Sequence, residues 1–226
     1  MFHKWHSTTP TPIMTPTLYF LRHGQTASSR DNVFCGAGLD PELTPDGFKM
    51  AEEFATAFSH VPWKAIYAGP LRRTIEAARP ISQATGITLE IRDALTEISY
   101  GAWEGKSVEL VDRDYHDDHT RWHEDPAWNA PTGGETAISL ASPVLKFVED
   151  VTHRFTDGNV LAVSHKATIR VALCGLLGIE VGGHRYRLGC PVGSLSVVEF
   201  AAHGALLHRL GDRAHLDPRL RELPGT

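Results

Sequence analysis

The chain has 226 residues, 42% of them hydrophobic and 22% charged, with a formal net charge of -5. This is enough apolar material for one domain with its own core, and there is no global basic excess of the kind that suits nucleic acid. Cys35, Cys174 and Cys190 form no CxxC pair and are odd in number, and no apolar run is long enough to cross a bilayer, so a disulfide framework, a thiolate metal site and a membrane span are set aside and a cytoplasmic protein is expected.

Residues 1–16 are rich in Thr and Pro and lack the apolar stretch of a signal peptide; they read as a flexible tail before a domain over 17–226. Leu18-Tyr19-Phe20-Leu21 is a buried strand that stops at Arg22-His23-Gly24. Thr44-Pro45 opens a helix with apolar residues at Phe48, Ala51, Phe54, Ala55 and Phe58. Ala65–Ala68 is a second strand. Gly69-Pro70 ends it and starts a helix to about Ala84, which Pro80 is expected to kink or break. Thr88–Ile91 reads as a third strand, followed by a loop holding Glu97.

Residues 106–132 are rich in Asp, His and Trp and read as a small lid insertion. A helix over Glu135–Phe155 follows, then a strand over Asn159–Ser164 that stops at His165. Thr168–Leu177 is a helix ended by Gly178, and Leu195–Phe200 with Leu206–Leu210 form a late hairpin across Gly204. Strands alternating with helices predict an α/β fold around a mostly parallel sheet, with no internal repeat and no second core.

Ligands bind such sheets at the carboxyl ends of the strands. One strand delivers Arg22 and His23 there, another Ser164 and His165, and a third runs into a helix whose first turn carries Arg72 and Arg73. Arginine forks suit phosphate oxygens, and helix N-termini add donors for an anion. A neutral imidazole is a good nucleophile towards phosphorus, and the equatorial charge that develops can be met by two arginines and a second histidine. With Glu104 as the nearby competitor, Glu97 is the candidate acid for the leaving oxygen. Beside a phosphate dianion and partly desolvated, its carboxyl is expected to stay protonated near pH 7.

Arg22-His23-Gly24-Gln25-Thr26 resembles the signature of the histidine phosphatase superfamily, in the branch containing cofactor-dependent phosphoglycerate mutase. Leu43-Thr44-Pro45-Asp46-Gly47, Tyr67-Ala68-Gly69-Pro70-Leu71-Arg72-Arg73, Leu95-Thr96-Glu97-Ile98-Ser99-Tyr100-Gly101, Gly134-Glu135-Thr136 and Val163-Ser164-His165 are similar to its later motifs, in order. The resemblance spans roughly residues 17–216. It implies a three-layer α/β/α fold, a phosphohistidine on His23, a phosphate-binding Arg73, an acid at Glu97 and no metal or other cofactor. Arg22 and His165 complete the catalytic set. Ser29, Cys35, Gly36, Tyr100 and Lys166 are the expected substrate and phosphate contacts. Ser29 stands where the family often has Asn, Cys35 where it has Gln, Ser or Thr, and Lys166 where it commonly has Gly, and these positions border the leaving group.

The expected activity is hydrolysis of a small phosphorylated metabolite, with neither nucleic acid nor membrane as partner and a homo-oligomer left open. A phosphoglycerate mutase is the first rival. The acidic stretch from Val108 to Asp125 argues against it, because such a lid repels a second phosphate. A catalytically silent scaffold is the second rival, set against the presence of all five catalytic candidates. Cys35 as nucleophile is disfavoured because His23 already explains the site. His116, His119 and His123 share a helix face amid Asp112, Asp114, Asp117 and Asp118. They read as a solvated lid helix, with a metal site as the alternative.

Overall fold

The computed structural model describes residues 15–225. The expected tail lies outside the described residues except at its end, where Thr15 hydrogen-bonds Glu199 and the first strand already starts at Pro16. That strand, β1 (Pro16–Arg22), is followed by a single turn, α1 (Ala27–Arg30), and by α2 (Pro45–Phe58). Then come β2 (Trp63–Ala68), α3 (Arg72–Thr85) and β3 (Leu89–Ile91). Two short helices, α4 (Val108–Asp114) and α5 (His116–Glu124), precede α6 (Ala137–Arg154). The chain continues through β4 (Gly158–Ser164), α7 (Lys166–Leu177), α8 (His184–Arg187), the hairpin β5 (Leu195–Ala201) and β6 (Gly204–Asp212), and a last turn, α9 (Pro218–Arg221).

Among the described residues, six strands make one sheet in the order β3-β2-β4-β1-β5-β6. The first four are mutually parallel, and the β5–β6 hairpin adds an antiparallel edge beside β1. Successive strand residues face opposite sides, so each strand feeds two cores. Leu18, Phe20, Tyr67, Val160 and Ala162 pack with α6 and α7 through Val144, Phe147, Val148 and Ile169. Leu21, Ile66, Leu161 and Val163 pack with α2 and α3 through Phe54, Ala77, Ala78 and Ile81. The result is the expected α/β/α sandwich.

Helix starts follow local chemistry. The Thr44 hydroxyl accepts from Gly47 N with Pro45 at the first helical position, and the Thr136 hydroxyl accepts from Ser139 N. Pro80 does not break α3, which runs unbroken to Thr85. Ala77, Ala78 and Ile81 are fully buried on both sides of the proline, so packing on the sheet outweighs one missing backbone bond. The helix expected from Thr168 begins at Lys166 instead. Residues 106–132 form α4, α5 and a loop, with a satellite cluster of Trp103, Val111 and Trp122 packed by Phe34, Tyr100 and Tyr115. Trp103 is therefore core, and Trp128 stands 72% exposed.

Candidate active site

In the β1–β4 register Arg22 lies opposite Ser164, so the next residues, His23 and His165, leave the sheet side by side. Their ring centroids are 5.1 Å apart. β2 borders β4 on the other side, with Ala68 opposite Val163, and the chain then turns through Gly69-Pro70-Leu71 into α3, whose first turn carries Arg73. The loop after β1 is pinned by a backbone contact. A Cβ on Gly24 would sit 2.4 Å from the Gly47 carbonyl oxygen, and one on Gly47 would sit 2.1 Å from that of Gln25. Only glycine permits that approach.

Hydrogen-bond partners assign the two imidazoles opposite roles. His23 Nδ1 lies 2.8 Å from the Gly24 carbonyl oxygen, which can only accept. Nδ1 therefore carries the proton, and the lone pair is on Nε2. Arg73 Nε, which can only donate, reaches His165 Nδ1 at 3.2 Å. His165 therefore carries its proton on Nε2, and that atom is buried with no hydrogen-bond partner. Burial, and then the charges of Arg73 and Arg22, hold His23 well below the usual imidazole value. Burial and Arg73, followed by His23 and Arg22, do the same for His165. Both rings are neutral at neutral pH: one presents a lone pair, the other an N–H.

Arg73 is 1% exposed and held on three sides, donating also to the Leu39 and Gly36 carbonyls at 2.7 and 3.1 Å. Arg22 donates to the Cys190 carbonyl at 2.7 Å. Burial lowers its pKa to about 10, so it stays charged at neutral pH.

Glu97 is buried at the N-terminus of α7. Oε1 accepts from Ile98 N at 2.9 Å, Thr168 N at 3.2 Å and Thr168 Oγ1 at 3.1 Å, and Oε2 accepts from Ala167 N at 3.2 Å. No side chain caps α7 from its own N-cap position, so Glu97 supplies the cap from a distant loop. The Thr168 hydroxyl also lies 2.6 Å from the Thr96 carbonyl. Its one proton is therefore shared between two acceptors, the Thr96 carbonyl at 2.6 Å and Glu97 Oε1 at 3.1 Å.

One cleft brings together Arg22, His23, Ser29, Cys35, Arg73, Glu97, Tyr100 and Lys166. His165 is fully buried behind it, beside His23. Gly36 does not line it. Its carbonyl holds Arg73, and a Cβ there would sit 2.3 Å from the Ile98 carbonyl oxygen. Ser29 caps α1, its hydroxyl accepting from Thr26 N at 3.0 Å and donating to Thr26 O at 3.1 Å. Burial pushes the Cys35 thiol up, so it is no thiolate at neutral pH. Burial also raises the Tyr100 phenol. Burial, then Arg22 and Arg170, lower the Lys166 ammonium to about 7.

The acidic stretch lies differently from its expected place. Only Val108 and Trp122 of Val108–Asp125 line the cleft, and none of its carboxylates does. Asp112 is close to His116 and His119, and Asp118 pairs with Arg121. His119 stacks on Trp122, and His123 meets the Tyr186 hydroxyl. The histidines thus tie α5 to its neighbours, and no group of three or more His, Cys, Asp or Glu among the described residues could hold a metal ion. No helix among them is long and apolar enough to cross a membrane. Arg170, His184 and Arg185 also line the cleft, and nothing in their sequence surroundings singles them out.

Residues 18–213 match the histidine phosphatase superfamily (branch 1). The chain belongs to this family. This histidine phosphatase is 32% identical over 199 residues to phosphoserine phosphatase 1 of Hydrogenobacter thermophilus, covering 88% of this chain and 93% of that protein. It is 28% identical over 193 residues to glucosyl-3-phosphoglycerate phosphatase of Mycolicibacterium vanbaalenii, covering 82% and 84% of the two chains. Among solved structures, a mycobacterial glucosyl-3-phosphoglycerate phosphatase in complex with VO3 shares its fold with a TM-score of 0.79 and 26% identity, over 87% of this chain and 99% of that one.

Proposed function

We propose that this histidine phosphatase hydrolyses a small phosphorylated metabolite by transferring its phosphoryl group to His23 Nε2. The observation that carries this reading is the pairing of a neutral His23, whose Nε2 holds the lone pair, with a neutral His165, whose Nε2–H has no partner. His23 attacks phosphorus while the ester P–O bond breaks. Arg22, Arg73 and the His165 N–H meet the charge on the equatorial oxygens. Glu97 gives a proton to the departing alkoxide, then takes one from the water that attacks phosphohistidine, and inorganic phosphate leaves. No step needs a metal, because the charge is met by these side chains. Residues 106–132 act as a lid on a single domain, contributing Val108 and Trp122 to the leaving-group side. The free cysteines Cys35, Cys174 and Cys190 fit a reducing cytoplasm.

The named relatives act on different esters, so their substrates do not transfer to this chain. The acidic lid no longer weighs against a mutase, since its carboxylates stand outside the cleft. Phosphoglycerate interconversion, followed by isomer analysis, separates that reading from net release of phosphate. The primary test is hydrolysis of 4-nitrophenyl phosphate in EDTA by wild type and His23→Ala, with acid-labile, alkali-stable label sought on the denatured protein. Wild-type turnover with label on His23, both lost in the variant, is the expected result. Equal turnover by the two proteins refutes the mechanism.

A further inference from the structure

The cleft holds more positive charge than one phosphoryl group needs. Arg22, Arg73 and His165 already serve that group. Lys166, Arg170 and Arg185 line the same cleft, and among the described residues none of the three is within ion-pair distance of a carboxylate. Lys166 and Arg170 are four residues apart on α7 and so share a face. Arg170 Nε is buried with no hydrogen-bond partner, a costly state for a guanidinium donor that has no ligand.

Arg185 approaches from α8, its guanidinium 3.6 Å from the centroid of the Trp122 ring. A stacked guanidinium keeps its in-plane N–H groups for acceptors; one of those of Arg185 reaches the Tyr186 hydroxyl at 3.4 Å. These cations act on one another: Arg170 opposes the charge on both Lys166 and Arg185, and Arg22 opposes that on Lys166. Glu97 is a carboxylate that acts on Lys166, and its oxygens are taken up at the start of α7. Such a cluster is relieved by an anion and by little else.

We infer that Lys166, Arg170 and Arg185 form a second anion subsite, which takes a negatively charged group carried on the alcohol side of the phosphomonoester. This rests on the phosphomonoesterase reading and narrows its substrate class. A carboxylate and a second phosphate offer the same chemistry to the three cations.

The test uses the full chain and the hydrolysis of 4-nitrophenyl phosphate, with three competitors built on one carbon skeleton: glycerol 3-phosphate, 3-phosphoglycerate and glycerol 1,3-bisphosphate. At least one charged competitor is expected to inhibit with a Ki about 10-fold or more below that of glycerol 3-phosphate. The better of the two tells carboxylate from phosphate. Arg185→Gln and Arg170→Gln should each shrink that Ki ratio by about 10-fold, while Arg185→Lys, which keeps the charge, should retain most of it. A loss from disturbed packing alone would weaken all three competitors together and leave the ratio in place.

Equal Ki values for the three competitors in the wild type overturn the subsite, as does a ratio unmoved in both folded Gln variants. Either result leaves the phosphatase reading standing. If the Gln variants do not fold, the wild-type ratio decides. Absence of aryl phosphate hydrolysis removes the phosphatase reading, and the subsite falls with it.

Discussion

Glu97→Gln separates the two jobs assigned to this carboxylate, capping α7 and moving a proton. Its oxygens accept from Ile98 N, Thr168 N, Thr168 Oγ1 and Ala167 N. A glutamine oxygen can keep the Oε1 partners, but its NH2 group then faces the Ala167 N–H 3.2 Å away, donor against donor. One accepted bond is lost and one buried N–H goes unmet, at about 1–3 kcal/mol. In a domain of this size each kcal/mol lowers Tm by about 2–4 °C, so a fall of roughly 2–12 °C is expected. The lost proton transfer is a separate effect. It should reduce turnover of an alkyl phosphate by about 10²–10⁴-fold, and that of 4-nitrophenyl phosphate far less, because nitrophenolate leaves without a proton. Thermal unfolding and the two rates, measured on one preparation, give both quantities. Equal loss on the two esters, together with the lowered Tm, would falsify the acid role and leave Glu97 a cap.

Arg73→Lys leaves the Gly36 and Leu39 carbonyls and His165 Nδ1 to one ammonium, where a planar fork now reaches all three. His165 then loses its tautomer constraint, and kcat should fall about 10²–10³-fold; loss in KM alone would contradict this. Acid should destabilise the fold before the carboxylates titrate. His23 and His165 are held well below 6.5 and His184 at about 4, burial being the largest cause for each. The unfolded chain therefore binds more protons below pH 6.5, and stability, complete above about pH 7.5, declines as pH falls through 6.5. The slope is up to about 1.4 kcal/mol per pH unit for each histidine. Urea midpoints at pH 7.5, 6 and 5 read it, and a flat series counts against the neutral-imidazole assignment. Gly47→Ala puts a methyl group 2.1 Å from the Gln25 carbonyl oxygen. A loss of about 1–3 kcal/mol should accompany a fall in activity, although Gly47 does not line the cleft; an unchanged melting curve would show that the loop yields.

Much of the architecture was legible because its signals are local. A strand buried on both faces reads as an unbroken apolar run, as at Leu18–Leu21. A helix start reads as a capping threonine before a proline, as at Thr44-Pro45, and a helix end as Gly178 in the left-handed conformation. Where a local signal misled, packing had outweighed it: Pro80 lies inside α3 because Ala77, Ala78 and Ile81 remain buried. Charge misled for a related reason. The acidic composition of Val108–Asp125 says nothing of which way side chains point, and the folded chain turns Trp122 into the cleft and the carboxylates away from it.

By itself the sequence determined the order of the main strands and helices and singled out the candidate positions for phosphate chemistry, because both are written in residue types and short spacings. Only the tertiary structure decided which nitrogen of each histidine holds the proton, since that depends on Gly24 O for His23 and on Arg73, 92 residues away, for His165. It alone placed Glu97 over the N-terminus of α7 and set the Gly36 carbonyl against Arg73. It alone brought Arg185 beside Lys166 and Arg170 in the cleft. Hydrogen bonds and electrostatic fields act through space, and spacing along the chain records nothing of a neighbour that only folding supplies.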